Sequence, residues 1–137
     1  MINEVGKKNF DIEDERRKIK DGTYPLRIIQ GRQNKHIEGT VEFEQKAKSM
    51  NAHSPGSKPA ILTVDAKMLI DKYSGTGLIN VPYGSDYPVE IVDADCVIGK
   101  SWVKHKQKYV DTRRMKIIYS STGVHIVPKN DFEGGRR

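Results

Sequence analysis

The feature that most constrains the fold is a series of short β-prone segments between Val89 and Val127. The first of them alternates apolar and polar side chains, with a change of phase at Ile91-Val92 that predicts a β-bulge there and a buried Cys96. Three further strands are predicted at residues 102–110, 115–120 and 124–127. Because the connections are too short for parallel crossovers, the strands are expected to pair antiparallel.

The last two predicted strands flank Thr122-Gly123, a residue pair suited to a tight hairpin turn. A two-residue turn would place Ser120 opposite His125, whereas a three-residue turn would place Tyr119 there. With the two-residue turn, the strand period of two gives the hairpin an apolar core face and a face that carries the histidine. The predicted core face consists of Ile117, Tyr119, Val124 and Ile126, and the opposite face of Lys116, Ile118, Ser120, His125 and Val127.

The N-terminal half is typical of helices. Residues 10–20 start with an acidic turn and finish with basic residues, as the helix dipole favours, and the helix is predicted to end near Gly22. Residues 66–74 follow a capping Asp65 and precede Gly75, a helix-stopping residue. The predicted fold class is therefore α+β, with N-terminal helices packed on a small antiparallel sheet of about four strands.

Length and charge limit the classes of protein that fit. A chain of 137 residues suits one domain, and its net charge of +6 and pI near 9.4 favour an anionic partner such as nucleic acid. A single cysteine excludes an intrachain disulfide and a thiol-rich zinc site. No apolar stretch predicts a membrane segment or a signal peptide, so delivery outside the producing cell would require a larger carrier protein.

Two of the four histidines are candidates for catalysis. His53 lies in a segment rich in Pro, Gly and Ser, and His105 lies among lysines, so both are expected to be solvent-exposed bystanders. His36 follows Lys35 in a glycine-bounded segment dense in hydrogen-bond donors, and His125 lies on the hairpin. Taken alone, each of these two is more often a structural histidine than a catalytic one.

Together, these side chains suit the cleavage of RNA by its own 2′-hydroxyl. That reaction needs a base for the hydroxyl proton, an acid for the departing 5′-oxygen, and donors around the phosphorane. Two histidines with an ordinary pKa of about 6.5 can supply the base and the acid near neutral pH. Lys35 and Ser120 would supply the donors, and the route requires neither a metal nor another cofactor.

A metal site is the alternative for Asp93 and Asp95, which would share one face of a strand as Mg²⁺ ligands. They alternate with apolar residues, so the simpler interpretation is the solvated face of a half-buried strand. The sequence contains neither a phosphate-binding glycine loop nor a His-Glu-x-x-His motif.

Four ordered blocks between residues 28 and 129 resemble the bacterial polymorphic toxin type 50 domain. They are Gly31-x-Gln33-x-Lys35-His36-Ile37-x-Gly39, Leu62-Thr63-x-Asp65 leading to Tyr73-x-Gly75-x-Gly77, Ile118-Tyr119-Ser120, and Gly123-x-His125-Ile126-Val127-Pro128. The resemblance implies a ribonuclease with the fold shared by barnase, EndoU, colicin ribonucleases and RelE. Such domains occur at the C-termini of large contact-dependent or secreted toxins and on phage head-morphogenesis proteins.

The resemblance also implies which residues form the functional site. It marks Lys35, His36, Ser120 and His125 as catalytic, with Gln33 as a support and Tyr119 as a neighbour. The remaining substrate-binding candidates are Arg32, Thr122, Lys104, Lys106, Arg113, Arg114 and Lys116. The predicted toxin domain spans residues 26–130, after a helical arm or linker at 1–25 and before a flexible tail at 131–137.

The predicted function is a metal-independent endoribonuclease toxin domain, with tRNA as one candidate substrate. It would arrive in the cytoplasm of a target bacterium on a larger carrier, and a cognate immunity protein would protect the producing cell. The alternative is a non-enzymatic module that binds nucleic acid or a protein partner, as on a phage structural protein. Such a module would use the basic residues but not the histidines.

Overall fold

The computed structural model describes residues 10–130, and the predicted tail at 131–137 lies outside this range. The helices are α1 (Ile12–Lys20), α2 (Gln30–Gln33), α3 (Val41–His53) and α4 (Ala66–Tyr73), with short 3-10 helices at Asn34–His36 and Lys104–Lys106. The strands are β1 (Ile61–Leu62), β2 (Leu78–Asn80), β3 (Val89–Asp93), β4 (Gly99–Val103), β5 (Lys108–Thr112), β6 (Arg114–Tyr119) and β7 (Val124–Lys129).

The predicted α+β class is confirmed, and the seven strands of the described range pair with one another antiparallel. One sheet has the order β2-β3-β6-β7, and a second sheet, which the sequence did not predict as separate, has the order β1-β4-β5. The second sheet arises because the predicted strand at 102–110 is a hairpin. It bends at Lys104–Lys106 and at Gln107, whose φ of 50° is left-handed.

The main core lies on one face of the four-stranded sheet, beneath α1 and α4. Met115 and Ile117 of β6 and Val124 and Ile126 of β7 are fully buried there, so the predicted core face of the hairpin is confirmed. Ile19 of α1 belongs to the same core, and the Arg16 guanidinium donates to the carbonyl oxygens of Gly75 and Gly77. Residues before the predicted domain boundary therefore contribute to the core.

Local sequence sets the starts of both core helices. The Asp11 carboxylate accepts hydrogen bonds from the amides of Glu13 and Asp14 at the start of α1. The Asp65 carboxylate accepts one from Met68 at the start of α4, as predicted. These caps satisfy amides that have no partner within the helix. The helix α3 continues to His53, so it includes the start of the segment that is rich in Pro, Gly and Ser.

The predicted bulge in β3 is wrong, because the ladder to β6 runs without interruption from Val89 to Asp93. The buried phase of β3 consists of Glu90 and Val92, and Glu90 is completely inaccessible to solvent. Its carboxylate accepts hydrogen bonds from the amides of Gly75 and Gly77 and from the Tyr119 hydroxyl, at 2.6–3.0 Å. A polar side chain thus occupies a core position that apolar alternation could not reveal.

Cys96 is exposed, which overturns the prediction that it lies buried in a strand. The strand ends at Asp93, and residues 94–98 form a connection to β4 instead. In that connection Ala94 and Ile98 are buried while the cysteine is not. The alternation therefore identified the buried neighbours but extended the strand too far.

The hairpin between β6 and β7 has a longer turn than predicted. Tyr119 pairs with Val124 and Ile118 pairs with His125, so four residues, 120–123, form the turn. The predictions that Ser120 or Tyr119 faces His125 are therefore wrong. Gly123 is required because Val124 donates to the Arg27 carbonyl oxygen, and a Cβ at Gly123 would lie 2.3 Å from that oxygen.

Candidate active site

His125 lies on the face of β7 that is turned away from the main core. Its ring nitrogen Nδ1 is buried and has no hydrogen-bond partner among the described residues. Burial and, to a smaller extent, the charges of nearby basic residues lower the pKa of His125 to about 4; these residues are His36, Arg32, Lys35 and Lys46. The imidazole is therefore neutral at pH 7 and able to accept a proton.

His36 is buried at the end of the short 3-10 helix that follows α2. Its Nδ1 lies 3.0 Å from the carbonyl oxygen of Ala60, which can only accept, so Nδ1 carries a proton and Nε2 is the free nitrogen. Burial lowers the pKa of His36, and Lys46 and Lys35 act in the same direction. The Ala60 carbonyl opposes this shift because it stabilises the protonated ring.

Gln33 connects the two histidine-bearing segments. Its amide is fully buried, donates to the Ile126 carbonyl oxygen at 2.9 Å and accepts from the Ile126 amide at 2.7 Å. Ile126 follows His125 in β7, and Gln33 precedes His36 by three residues. This double hydrogen bond therefore fixes the position of His36 relative to His125.

The same contacts cover the free edge of β7. The Val124 amide donates to the Arg27 carbonyl oxygen at 2.8 Å, and its carbonyl oxygen accepts from the Ile29 amide at 2.9 Å. The Gln33 side-chain amide forms with Ile126 the two backbone hydrogen bonds that a neighbouring strand would otherwise form. Pro128, two residues further on, has no amide hydrogen that would need a partner. The backbone groups of Val124 and Ile126 at the free edge of β7 therefore find their hydrogen-bond partners in the segment that leads to His36.

Both histidines line one cleft of about 550 Å³. Its walls come from β7, β4, α3, the 3-10 helix of His36 and the loop that ends at Ala60. Five basic side chains line it: Arg32, Lys35, Lys46, Lys58 and Lys129. No aspartate or glutamate is among its lining residues within 10–130, and in that range none of the five cations forms an ion pair. An unneutralised basic cleft of this kind favours a polyanion.

Of the predicted site residues, the cleft brings together Arg32, Lys35, His36 and His125. Ser120 is instead part of the hairpin turn, where its hydroxyl donates to the Gly123 carbonyl oxygen at 2.8 Å. Thr122 is exposed in the same turn, and its carbonyl oxygen accepts from Arg27. Neither of these hydroxyl-bearing residues lines the cleft.

The remaining predicted binding residues lie elsewhere. Tyr119 is buried on the core face, where its hydroxyl donates to the Glu90 carboxylate. Gln33 is buried too, and its side-chain amide donates to the backbone of β7. Lys104 donates to Ser54, and Arg114 forms a double hydrogen bond with Asp93. The predicted basic binding residues that do not line the cleft are Lys104, Lys106, Arg113, Arg114 and Lys116.

Several residues that line the cleft were not predicted from the sequence, namely Lys46, Met50, Lys58, Ser101, Trp102 and Lys129. Lys46 and Met50 come from α3, whose apolar stripe is weak, and Ser101 and Trp102 come from a strand of the unpredicted second sheet. No local motif marks these positions. Only the packing of distant segments brings them to one place.

The two aspartates weighed as a metal site are engaged with other side chains. Asp93 bonds to Arg114, and Asp95 accepts from the Tyr73 hydroxyl and from Lys72. These partners lower the pKa of both carboxyl groups. Over residues 10–130, no three His, Cys, Asp or Glu side chains are grouped as metal ligands, and no helix in that range has the length and apolarity to cross a membrane.

The lowered pKa of His125 predicts how stability depends on pH. The unfolded chain, with an ordinary pKa of 6.5, binds a proton that the folded chain does not bind until about pH 4. The free energy of unfolding should therefore fall as the pH drops from 6.5 to 4, by on the order of 3 kcal/mol from this group.

Urea unfolding at several pH values tests this dependence. We expect His125→Gln to flatten it and the exposed-site control His105→Gln to leave it unchanged. An unaltered slope in His125→Gln would contradict the assignment.

The described residues therefore form an α+β domain with two histidines in one basic cleft. The family model described as bacterial toxin 50 matches residues 28–128, most of the chain. The chain therefore belongs to the bacterial toxin 50 family, and the predicted resemblance is confirmed. No curated protein and no solved structure matches it significantly.

Proposed function

We propose that this domain is an endoribonuclease toxin that cleaves RNA through attack of the 2′-hydroxyl on the adjacent phosphate, without a metal. The observation that carries the proposal is the single cleft that contains both histidines and five basic side chains with no ion pair to any residue in the range 10–130. The cations attract the phosphate backbone, and the histidines supply the two proton transfers that this reaction needs.

The environments of the histidines support different roles. With a pKa of about 4, His125 is unprotonated in the free domain at neutral pH, which is the form that takes up the 2′-hydroxyl proton, so we assign it as the base. The Ala60 carbonyl oxygen supports the protonated form of His36, so this ring is the better acid for the departing 5′-oxygen. A bound phosphodiester would also raise the pKa of His36 through its negative charge.

Lys35 would stabilise the charge that develops on the phosphorane. It is exposed, lines the cleft and has no ion pair among the described residues, so its charge is available to substrate. Ser120 was predicted to orient a phosphate oxygen, but its hydroxyl is engaged in the turn. Ser101 lines the cleft, and its hydroxyl forms no hydrogen bond with another residue in the range 10–130, so it is the better candidate for that role.

The membership in a toxin family supports a biological setting for this activity. The domain would be delivered by a larger carrier protein and would act on RNA, for example tRNA, in the cytoplasm of a target bacterium. An immunity protein with an acidic surface would protect the producing cell by covering the basic cleft.

The experiment is incubation of the purified domain with total RNA in excess EDTA, followed by analysis of the product ends. We expect cleavage that leaves 2′,3′-cyclic phosphate and 5′-hydroxyl ends, lost in a His36→Ala, His125→Ala double variant. Strict dependence on Mg²⁺, or full activity of the double variant, would overturn the proposal. RNA that is bound but remains intact would favour the non-enzymatic binding module instead.

A further inference from the structure

Trp102 is the one tryptophan of the chain and lines the cleft that contains the two histidines. We infer that its indole ring is a stacking platform for an unpaired nucleobase of the RNA, next to the phosphate that is cleaved. This inference rests on the proposed function for the identity of the substrate, and it adds a subsite for a base and a requirement for single-stranded RNA.

The ring is held in place before any ligand binds. Its Nε1–H group donates to the Gly56 carbonyl oxygen at 2.7 Å, and the Tyr109 ring packs against it with centroids 4.9 Å apart at 66°. The Tyr109 hydroxyl in turn donates to the Pro59 carbonyl oxygen at 2.9 Å. A ring fixed on its strand by these contacts loses little conformational freedom when a base stacks on it.

Lys58 indicates that one face of the indole is open to a ligand. The Lys58 ammonium lies 4.8 Å from the ring centroid, and Lys58 is exposed and lines the same cleft. What covers this face is therefore the end of a long, flexible side chain. A base could replace the ammonium on the ring, while the ammonium moved to a neighbouring phosphate.

The kind of RNA follows from this arrangement. A base within a duplex has both faces covered by its neighbours, so it cannot stack on an indole without leaving the helix. An unpaired base in a loop or a single strand offers a free face at no such cost. We therefore expect the domain to cleave loops and single strands and to spare duplex RNA.

The test uses the fluorescence of Trp102, because no other tryptophan contributes to the signal. The probe is a 2′-deoxy dinucleotide, which lacks the attacking hydroxyl, and the control probe is the same sugar-phosphate unit without bases. We expect the dinucleotide to quench the fluorescence and the abasic probe to leave it nearly unchanged. Equal quenching by both probes would overturn the inference.

Two variants separate stacking from other roles of the side chain. Trp102→Leu should weaken binding of the dinucleotide by about 10-fold, as measured by calorimetry, while Trp102→Phe should retain most of the affinity. Both variants lose the hydrogen bond to Gly56, so a difference between them reports on the aromatic face. Equal affinities for the two variants would contradict the stacking role.

These measurements are independent of cleavage. If the domain binds the dinucleotide with quenching but never cleaves RNA, the base subsite stands and the proposed ribonuclease function fails. If it cleaves RNA, but cleaves duplex as fast as single strands and shows no base-dependent quenching, the ribonuclease function stands and the base subsite fails.

Discussion

His36→Ala and His125→Ala should each lower kcat/KM on a single-stranded oligoribonucleotide by about 10²–10⁴-fold, the usual contribution of a positioned acid or base. The two losses should differ on a substrate whose leaving group needs no proton. With uridine 3′-(4-nitrophenyl phosphate), the departing nitrophenolate is stable as an anion. We therefore expect this substrate to restore most of the activity of His36→Ala but not that of His125→Ala.

The reason lies in what each ring contacts. His36 has a carbonyl oxygen on Nδ1 that stabilises its protonated form, whereas nothing in the described range bonds the buried Nδ1 of His125. Exposed His105→Ala, which lies outside the cleft, is the matched control and should retain wild-type activity. Rescue of His125→Ala instead of His36→Ala would reverse the two roles, and rescue of neither would contradict the assignment of His36 as the acid.

Glu90→Leu should lower the free energy of unfolding by about 3–9 kcal/mol, since it would leave three buried or partly buried donors without an acceptor at about 1–3 kcal/mol each. The donors are the amides of Gly75 and Gly77 and the hydroxyl of Tyr119. This loss is comparable with the whole stability of a small domain, so we expect the variant to be largely unfolded at physiological temperature.

Urea unfolding measures this loss of stability, and two control variants provide values for comparison. Tyr119→Phe removes one of the three donors and should cost about 1 kcal/mol. Glu13→Gln alters a carboxylate whose side chain is 79% exposed and should change stability by no more than about 0.5 kcal/mol. A Glu90→Leu variant as stable as Tyr119→Phe would contradict the prediction, because it would show that the carboxylate adds no stability beyond its hydrogen bond with Tyr119.

Glu90 also explains which parts of the fold were predictable from sequence. Helix caps at Asp11 and Asp65 act within three residues of their partners, so their signals are local and the helix starts were predicted correctly. Glu90 is buried because glycine amides from another part of the chain meet its carboxylate. Its charged side chain interrupted the apolar pattern of β3, and the interruption resembled a bulge.

Some residues of the candidate site were also predictable from the sequence, and others were not. The pairing of Lys35-His36 with His125 rested on chemistry and on ordered motifs, which do not require a knowledge of packing. The position of Ser120 depended on the length of one turn, and the hydroxyl bonds to Gly123 within that turn instead of facing His125. Lys46, Lys58 and Lys129 reach the cleft through tertiary contacts between distant segments, and no sequence pattern marks such contacts.

The double hydrogen bond between Gln33 and Ile126 has a consequence for the order of events during folding. The two residues are 93 positions apart, and β7 is the last strand of the described chain. Joining such distant segments carries a large loop-closure cost that only the nearly complete fold can offset. We therefore expect His36 and His125 to meet late, so that under the proposed ribonuclease function a nascent or partly unfolded chain would have no activity until its final strand docks.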